Sequence, residues 1–189
     1  VILVLIIISK DNILWLPIQP EAIHMSRKIS DLHPQLIPLC EEFIKEANKF
    51  LSKEIGQGTE AVVTHTLRTW EEQDELYSIG RRNIKDEKIV TKAKGGYSWH
   101  NFGRAFDIAV RVDGKLSWDD SLPWKELGAI GKEIGLEWGG DWVGLNDLAH
   151  FQFRDGYSLA DARRFYYQEK ADKAREELRK ILEETSMEF

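Results

Sequence analysis

One cysteine, Cys40, stands in 189 residues. No intrachain disulfide can form, so the fold suits a reducing compartment, though a single thiol says little about export. Basic residues are also in short supply, 26 Lys and Arg against 32 Asp and Glu for a net charge of -6. Without a basic stripe there is nothing to neutralise a phosphate backbone, which argues against nucleic acid as a partner. The same acidity gives no long-range attraction to an anionic surface. Long hydrophobic runs are missing too. Val1 to Ile8 is unbroken and apolar but too short to span a bilayer, and Ser9-Lys10-Asp11-Asn12 follows it. As a signal peptide it lacks a basic leading region and a small-residue cleavage site. There is no internal repeat and no His-Glu-x-x-His helix, so a metal site must be assembled from separate segments.

What is present fits one domain with an adequate core. The chain opens without Met, whereas Met25-Ser26-Arg27-Lys28 leads directly into patterned sequence. Residues 1–24 are therefore expected to be a non-core segment, either a truncated targeting segment or sequence upstream of the true start. Residues 25–157 form the main domain and 158–189 a C-terminal helix. Leu36, Ile37, Leu39, Cys40, Phe43, Ile44, Ala47, Phe50 and Leu51 recur at helical spacing, which places Cys40 in the core. Ala61 to Arg68 reads as a strand with Arg68 at its end, and Thr69 with Glu72 makes a capping box that opens a helix toward Gly80. Residues 81–97 read as a mobile loop. From Arg104 to Val112, Phe106, Ile108 and Val110 point one way and Ala105, Asp107 and Ala109 the other. Pro123 and Gly135 bracket a further helix. From Ala149 to Phe153 the alternation returns, with His150 and Gln152 on one face. Ser158 and Asp161 open a long charged helix to about Glu184, on which Phe165, Tyr166, Ala171, Ala174, Leu178 and Leu182 offer apolar contacts to the body or to a second subunit. The fold class is α+β, helices packed on a small antiparallel sheet.

The chemistry concentrates in Ser98-Trp99-His100-Asn101-Phe102-Gly103-Arg104-Ala105-Phe106-Asp107 and, further on, Asp147-Leu148-Ala149-His150-Phe151-Gln152. His100, Asp107 and His150 are the two imidazoles and one carboxylate that a catalytic zinc uses, leaving a fourth position open. Gly103 lets the backbone turn between the first two. A carboxylate on an otherwise buried strand also needs a partner, since an unpaired charge there is costly. His24, His33 and His65 lie outside any such pattern and receive no metal role. Asp147 would be the base beside the open position, although a turn-closing role in Leu145-Asn146-Asp147 is the alternative.

Ser98, His100, Gly103, Ala105, Asp107 and the His150-Phe151-Gln152 run resemble the signature of zinc peptidases that cut bacterial peptidoglycan stem peptides. The family includes D-alanyl-D-alanine carboxypeptidases and L-alanyl-D-glutamate endopeptidases of phage-endolysin type. Glu137-Trp138-Gly139-Gly140-Asp141-Trp142, with Arg68 to Gln73 upstream, brings the resemblance nearest to the endopeptidases, and it spans roughly Asp31 to Phe153. It implies a Hedgehog/D-Ala-D-Ala peptidase-like fold and one Zn2+ per chain on His100, Asp107 and His150. By the same resemblance Asp147 is the acid-base residue, and Arg68 steadies the substrate carbonyl, unless it only pairs with Glu71 or Glu72 at the surface. Ser98, Gln73 and Asp141 are candidate contacts to the substrate or to the residues that hold it, and Trp138 and Trp142 are either core or an aromatic wall beside the zinc that contacts a D-amino-acid side chain. The implied substrate is a stem peptide at the cell wall, reached from a cytoplasmic site of synthesis without stable membrane insertion. Two other readings stay open: a D-alanyl-D-alanine carboxypeptidase, and a non-catalytic module that keeps zinc for stability.

Overall fold

The computed structural model describes residues 2–9, 12–18, 25–81, 89–144 and 146–186. Strands β1 (Ile2–Ser9) and β2 (Asn12–Ile18) pair antiparallel as a two-stranded sheet of their own. His24 and the side chain of Leu182 lie outside the described residues.

The amphipathic stretch becomes helix α1 (Leu36–Glu54), and its buried face is Leu36, Cys40, Phe43, Ala47 and Leu51, a strict three-and-four spacing. Burial pushes the Cys40 thiol up to about 12, so this cysteine is an inert core residue. Helix α1 packs against β3 (Glu60–His65) and against α3 (Trp124–Ile134), which begins after Pro123 and ends at left-handed Gly135. Helix α2 (Trp70–Ser78) starts from the capping box of Thr69 and Glu72.

The main sheet is antiparallel throughout. Its order is β3, β4 (Ala105–Val112), β7 (His150–Gln152) and β6 (Glu137–Trp138), with β5 (Lys115–Ser117) also on β4. The period-two reading of β4 holds: Phe106, Ile108 and Val110 enter the core with Phe43 and Phe151, where Phe106 and Phe151 stack at 5.6 Å. That face fixes the other one. Asp107 must then point away from the core, and its register partners are His65 on β3 and His150 on β7.

Strand β3 stops at His65, short of the expected Arg68. Thr66 and Leu67 leave the β4 ladder because their backbones pair with Ser26 instead: Thr66 N–H donates to Ser26 O at 2.8 Å and Ser26 N–H to Leu67 O at 3.3 Å. Arg68 N–H then bonds His100 O at 3.1 Å, which ties this crossing to the first metal motif.

Helix α4 (Leu159–Ser186) has two parts. Its first turns belong to the packed body: Leu159 and Ala162 lie against Trp99, Phe102 and Ala105, and Tyr166 stacks on Trp70 at 4.9 Å. Beyond Tyr167 its described side chains are exposed and carry ion pairs along the helix, such as Lys173 with Glu169 and Arg175 with Asp172.

Candidate metal centre and its cleft

Three segments deliver the site. A 3-10 turn, Trp99–Phe102, carries His100 and ends at Gly103 with φ +64, where the chain turns into β4. A side chain there is disfavoured twice: the left-handed backbone strains it, and a Cβ would lie 3.0 Å from His33 N. Strand β4 brings Asp107 and strand β7 brings His150 directly opposite it.

The resulting geometry is a triangle. His100 Nε2 lies 3.1 Å from Asp107 Oδ1, His150 Nδ1 lies 3.0 Å from the same oxygen, and the two nitrogens are 3.2 Å apart. Ligands around a tetrahedral zinc, with bonds of about 2.0–2.1 Å, are separated by roughly 3.3 Å. The outer hydrogen bonds decide what these atoms present. His100 Nδ1–H donates to Thr66 O at 2.7 Å, and His150 Nε2–H donates to Gln152 Oε1 at 3.1 Å. In the neutral rings, His100 Nε2 and His150 Nδ1 therefore carry lone pairs, and both lone pairs converge on a carboxylate oxygen. Three acceptors facing one another need a positive charge among them, either a metal ion or a proton on His150, whose pKa, against the lowering effect of burial, is raised by the hydrogen bond and charge of Asp107. Burial holds the His100 imidazole below its usual pKa, in the neutral form a metal needs. The donor set fits zinc.

Arg68 is buried beside this triangle, not paired at the surface with Glu71 or Glu72. Its Nη1 donates to Gln73 Oε1 at 2.9 Å and its Nη2 reaches Asp107 Oδ2 at 3.5 Å. Of the two contacts expected of Gln73, to the substrate or to a residue that holds it, the structure shows the second: Gln73 is fully buried and does not line the cleft. It faces inward from α2, where it receives Arg68 and donates to Ala93 O at 2.7 Å. His65 stands 3.6 Å from Asp107 Oδ2, outside the triangle.

A cavity of about 750 Å3 opens over the triangle, lined by Arg68, Ser98, Trp142, Asp147, Gln152 and Arg154 among others. Ser98 is thus at the cleft, as expected of a substrate contact. Trp138 is not: it is a core residue whose indole N–H donates to Leu148 O at 2.9 Å. The aromatic wall is Trp142, with its ring centroid 4.9 Å from that of His150. Asp141 also lies elsewhere, exposed and paired with Lys132 at 2.9 Å. Within the segment read as a mobile loop, residues 82–88 lie outside the described residues. The part that reaches the cleft is tied down, with Arg81 Nη2 donating to Thr91 O at 3.0 Å and Gly95 N–H to Asp74 Oδ1 at 2.7 Å.

Asp147 faces the cleft from the loop before β7. Burial, and next the charge of Asp107, push its carboxyl above the usual range, toward the working pH of a general base. Its backbone is seated by Gly139: Asp147 N–H donates to Gly139 O at 3.1 Å, and a Cβ on Gly139 would lie 2.5 Å from Asp147 O. Gly139→Ala must displace the Asp147 backbone. We expect a loss of about 1–3 kcal/mol in stability from overpacking. Catalytic rate should fall by up to about 10²-fold through a shift of order 1 Å in the carboxylate. Unfolding and steady-state rates measured on one preparation check this, and an unchanged rate would detach Gly139 from the site.

The outer partners were hidden from sequence reasoning. Thr66 contributes a backbone carbonyl, which leaves no side-chain signal. Gln152 could have been found, since it lies two residues from His150 on the same strand face.

A profile of the D-alanyl-D-alanine carboxypeptidase family matches residues 91–153, which contain all three triangle residues and Asp147. The chain is 38% identical over 133 residues to the peptidoglycan L-alanyl-D-glutamate endopeptidase CwlK of Bacillus subtilis (strain 168), across 65% of this chain and 74% of that one. It is 31% identical over 109 residues to the L-alanyl-D-glutamate peptidase of Listeria phage A118, covering 57% of this chain and 35% of the phage protein. Among solved structures, VanYB in complex with D-alanine-D-alanine superposes with a TM-score of 0.50 at 18% identity, covering 80% of this chain and 87% of that one, a likeness of fold alone. On these grounds the chain belongs to the peptidase family of the D-alanyl-D-alanine carboxypeptidases and peptidoglycan L-alanyl-D-glutamate endopeptidases.

Proposed function

We propose that the protein hydrolyses the L-alanyl-D-glutamate bond of peptidoglycan stem peptides, with one zinc held by His100, Asp107 and His150. The observation that carries the reading is the triangle of converging lone pairs with a carboxylate, Asp147, lining the same cleft. The endopeptidase relative supports the choice of bond. When bound, zinc lowers the pKa of water from 15.7 to about 7 and polarises a carbonyl.

The chain's own residues do the rest. Asp147 takes the proton of the attacking water and passes it to the leaving nitrogen, so that one water is consumed, the L-alanine carbonyl becomes a carboxylate and D-glutamate leaves as an amine. Among the other cleft carboxylates, Asp107 is in the triangle and Glu137 is bonded to Gln152 and Arg154, which leaves Asp147 for proton transfer. Arg68 Nη2, held only loosely by Asp107, is available to the carbonyl oxygen as negative charge develops on it. Ser98 and Trp142 flank the peptide. No described helix is long and apolar enough to cross a membrane.

Mass spectrometry of fragments released from purified peptidoglycan tests the bond. The expected products end in L-alanine on the muramyl side and begin with a free D-glutamate amine on the other. Release of D-alanine alone would identify a carboxypeptidase instead. Absence of any product from zinc-loaded protein would leave a binding module.

A further inference from the structure

His150 enters the triangle through Nδ1, so the proton on its Nε2 needs an acceptor. Gln152 Oε1 supplies it at 3.1 Å. An amide is an ambiguous partner, because a half-turn of its plane puts NH2 where the oxygen was. Glu137 removes the ambiguity. It lies opposite Gln152 in the β6–β7 register, and its Oε2 accepts from Gln152 Nε2 at 2.9 Å. A carboxylate accepts and does not donate, so the amide nitrogen must face it and the amide oxygen must face His150. The second carboxylate oxygen is occupied by Arg154, whose Nε donates to Oε1 at 2.6 Å, which fixes the carboxylate plane in turn. Donation thus runs from His150 to Gln152 to Glu137, and Arg154 donates into the same carboxylate from the cleft rim.

We infer that Glu137 is a positioning residue for the metal, acting through Gln152 to hold His150 in the tautomer whose Nδ1 lone pair faces His100 and Asp107. The inference rests on the assignment of those three residues as zinc ligands. Glu137 touches none of them. A plain ion pair with Arg154 at a strand end, the alternative role for a half-exposed glutamate, leaves zinc affinity unchanged.

The test is the zinc dissociation constant of the full chain, measured by competition with a chromogenic chelator at fixed pH. The proteins are wild type, Glu137→Leu, Gln152→Leu, the double variant and Glu137→Gln, with thermal unfolding of each zinc-free chain as the folding control. Glu137→Leu should weaken zinc by about 10- to 100-fold, the range for a lost outer partner of a ligand histidine. Gln152→Leu should weaken it at least as much, and the double variant no more than Gln152→Leu alone, because Glu137 then has nothing to orient. Glu137→Gln leaves one oxygen for which Gln152 and Arg154 compete, and its affinity should fall between those of wild type and Glu137→Leu. If the leucine variant does not fold, Glu137→Ser carries the same expectation, since serine is too short to reach Gln152. Wild-type affinity in Glu137→Leu, or losses that multiply in the double variant, overturn the inference. Failure of the ligand assignment looks different: wild type then binds no zinc, or His150→Ala binds it as tightly as wild type does.

Discussion

His150→Ala leaves the chain with little bound zinc and no measurable peptide hydrolysis. The removed atom, Nδ1, stands 3.0 Å from Asp107 Oδ1 and 3.2 Å from His100 Nε2, so two donors remain where three converged. Loss of an outer partner costs about 10- to 100-fold in metal affinity, and loss of a ligand itself should exceed that. Alanine also leaves Gln152 Oε1 without the imidazole proton it accepts, so the measurement needs a control for folding. Because binding to the native state alone raises the unfolding temperature, added zinc should stabilise wild type and leave His150→Ala unmoved. The two zinc-free chains should unfold within a few degrees of each other. Metal analysis after gel filtration gives the stoichiometry. One zinc per chain retained by the variant would sink the ligand assignment.

The parts of this site that were legible in the sequence are those fixed by periodicity. Strand β4 alternates, and once Phe106, Ile108 and Val110 are buried the sheet leaves Asp107 no choice of face. The same rule on β7 sets His150 beside it. The capping box of Thr69 and Glu72 and the turn at Gly103 follow from local chemistry in the same way. Where the chain leaves regular structure the pattern gives no direction. Trp138 and Trp142 flank one short turn, Gly139–Asp141, and only the tertiary fold sends the first into the core and the second to the cleft. Gln73 looks like any polar residue of a short helix, yet it is buried because Arg68 needs an acceptor inside the body. Helix α4 reads as a charged helix with apolar contact residues spread from Phe165 to Leu182, but among the described residues only its first turns pack on the segment that carries His100: Arg163 Nη1 donates to Gly96 O at 3.3 Å, and Tyr166 covers Trp70. A composition average hides such a division within one helix.

Asp147→Asn keeps zinc and loses the reaction. Asparagine matches aspartate in size, and Asp147 is not one of the three atoms of the triangle, so metal content should stay at one per chain. The backbone contacts that seat the residue, from its N–H to Gly139 O and from His150 N–H to its own carbonyl, do not involve the side chain and survive the exchange. What disappears is a carboxylate whose burial and whose neighbour Asp107 hold its pKa above the usual range. An amide in that place neither takes a proton from water nor returns one to the departing amine. General acid-base transfer contributes typically about 10²- to 10⁴-fold, and the rate on a peptide containing L-alanyl-D-glutamate should drop by that order. Peptide affinity should change little, since Ser98, Trp142 and Arg68 are untouched. The fall then appears in kcat, with KM close to wild type. Paired measurements decide the case: zinc content and peptide binding on one side, release of free amine at neutral pH on the other. A near-wild-type rate with zinc in place would return Asp147 to a turn-closing role. Glu137 would then be the carboxylate to examine next, because it also lines the cleft.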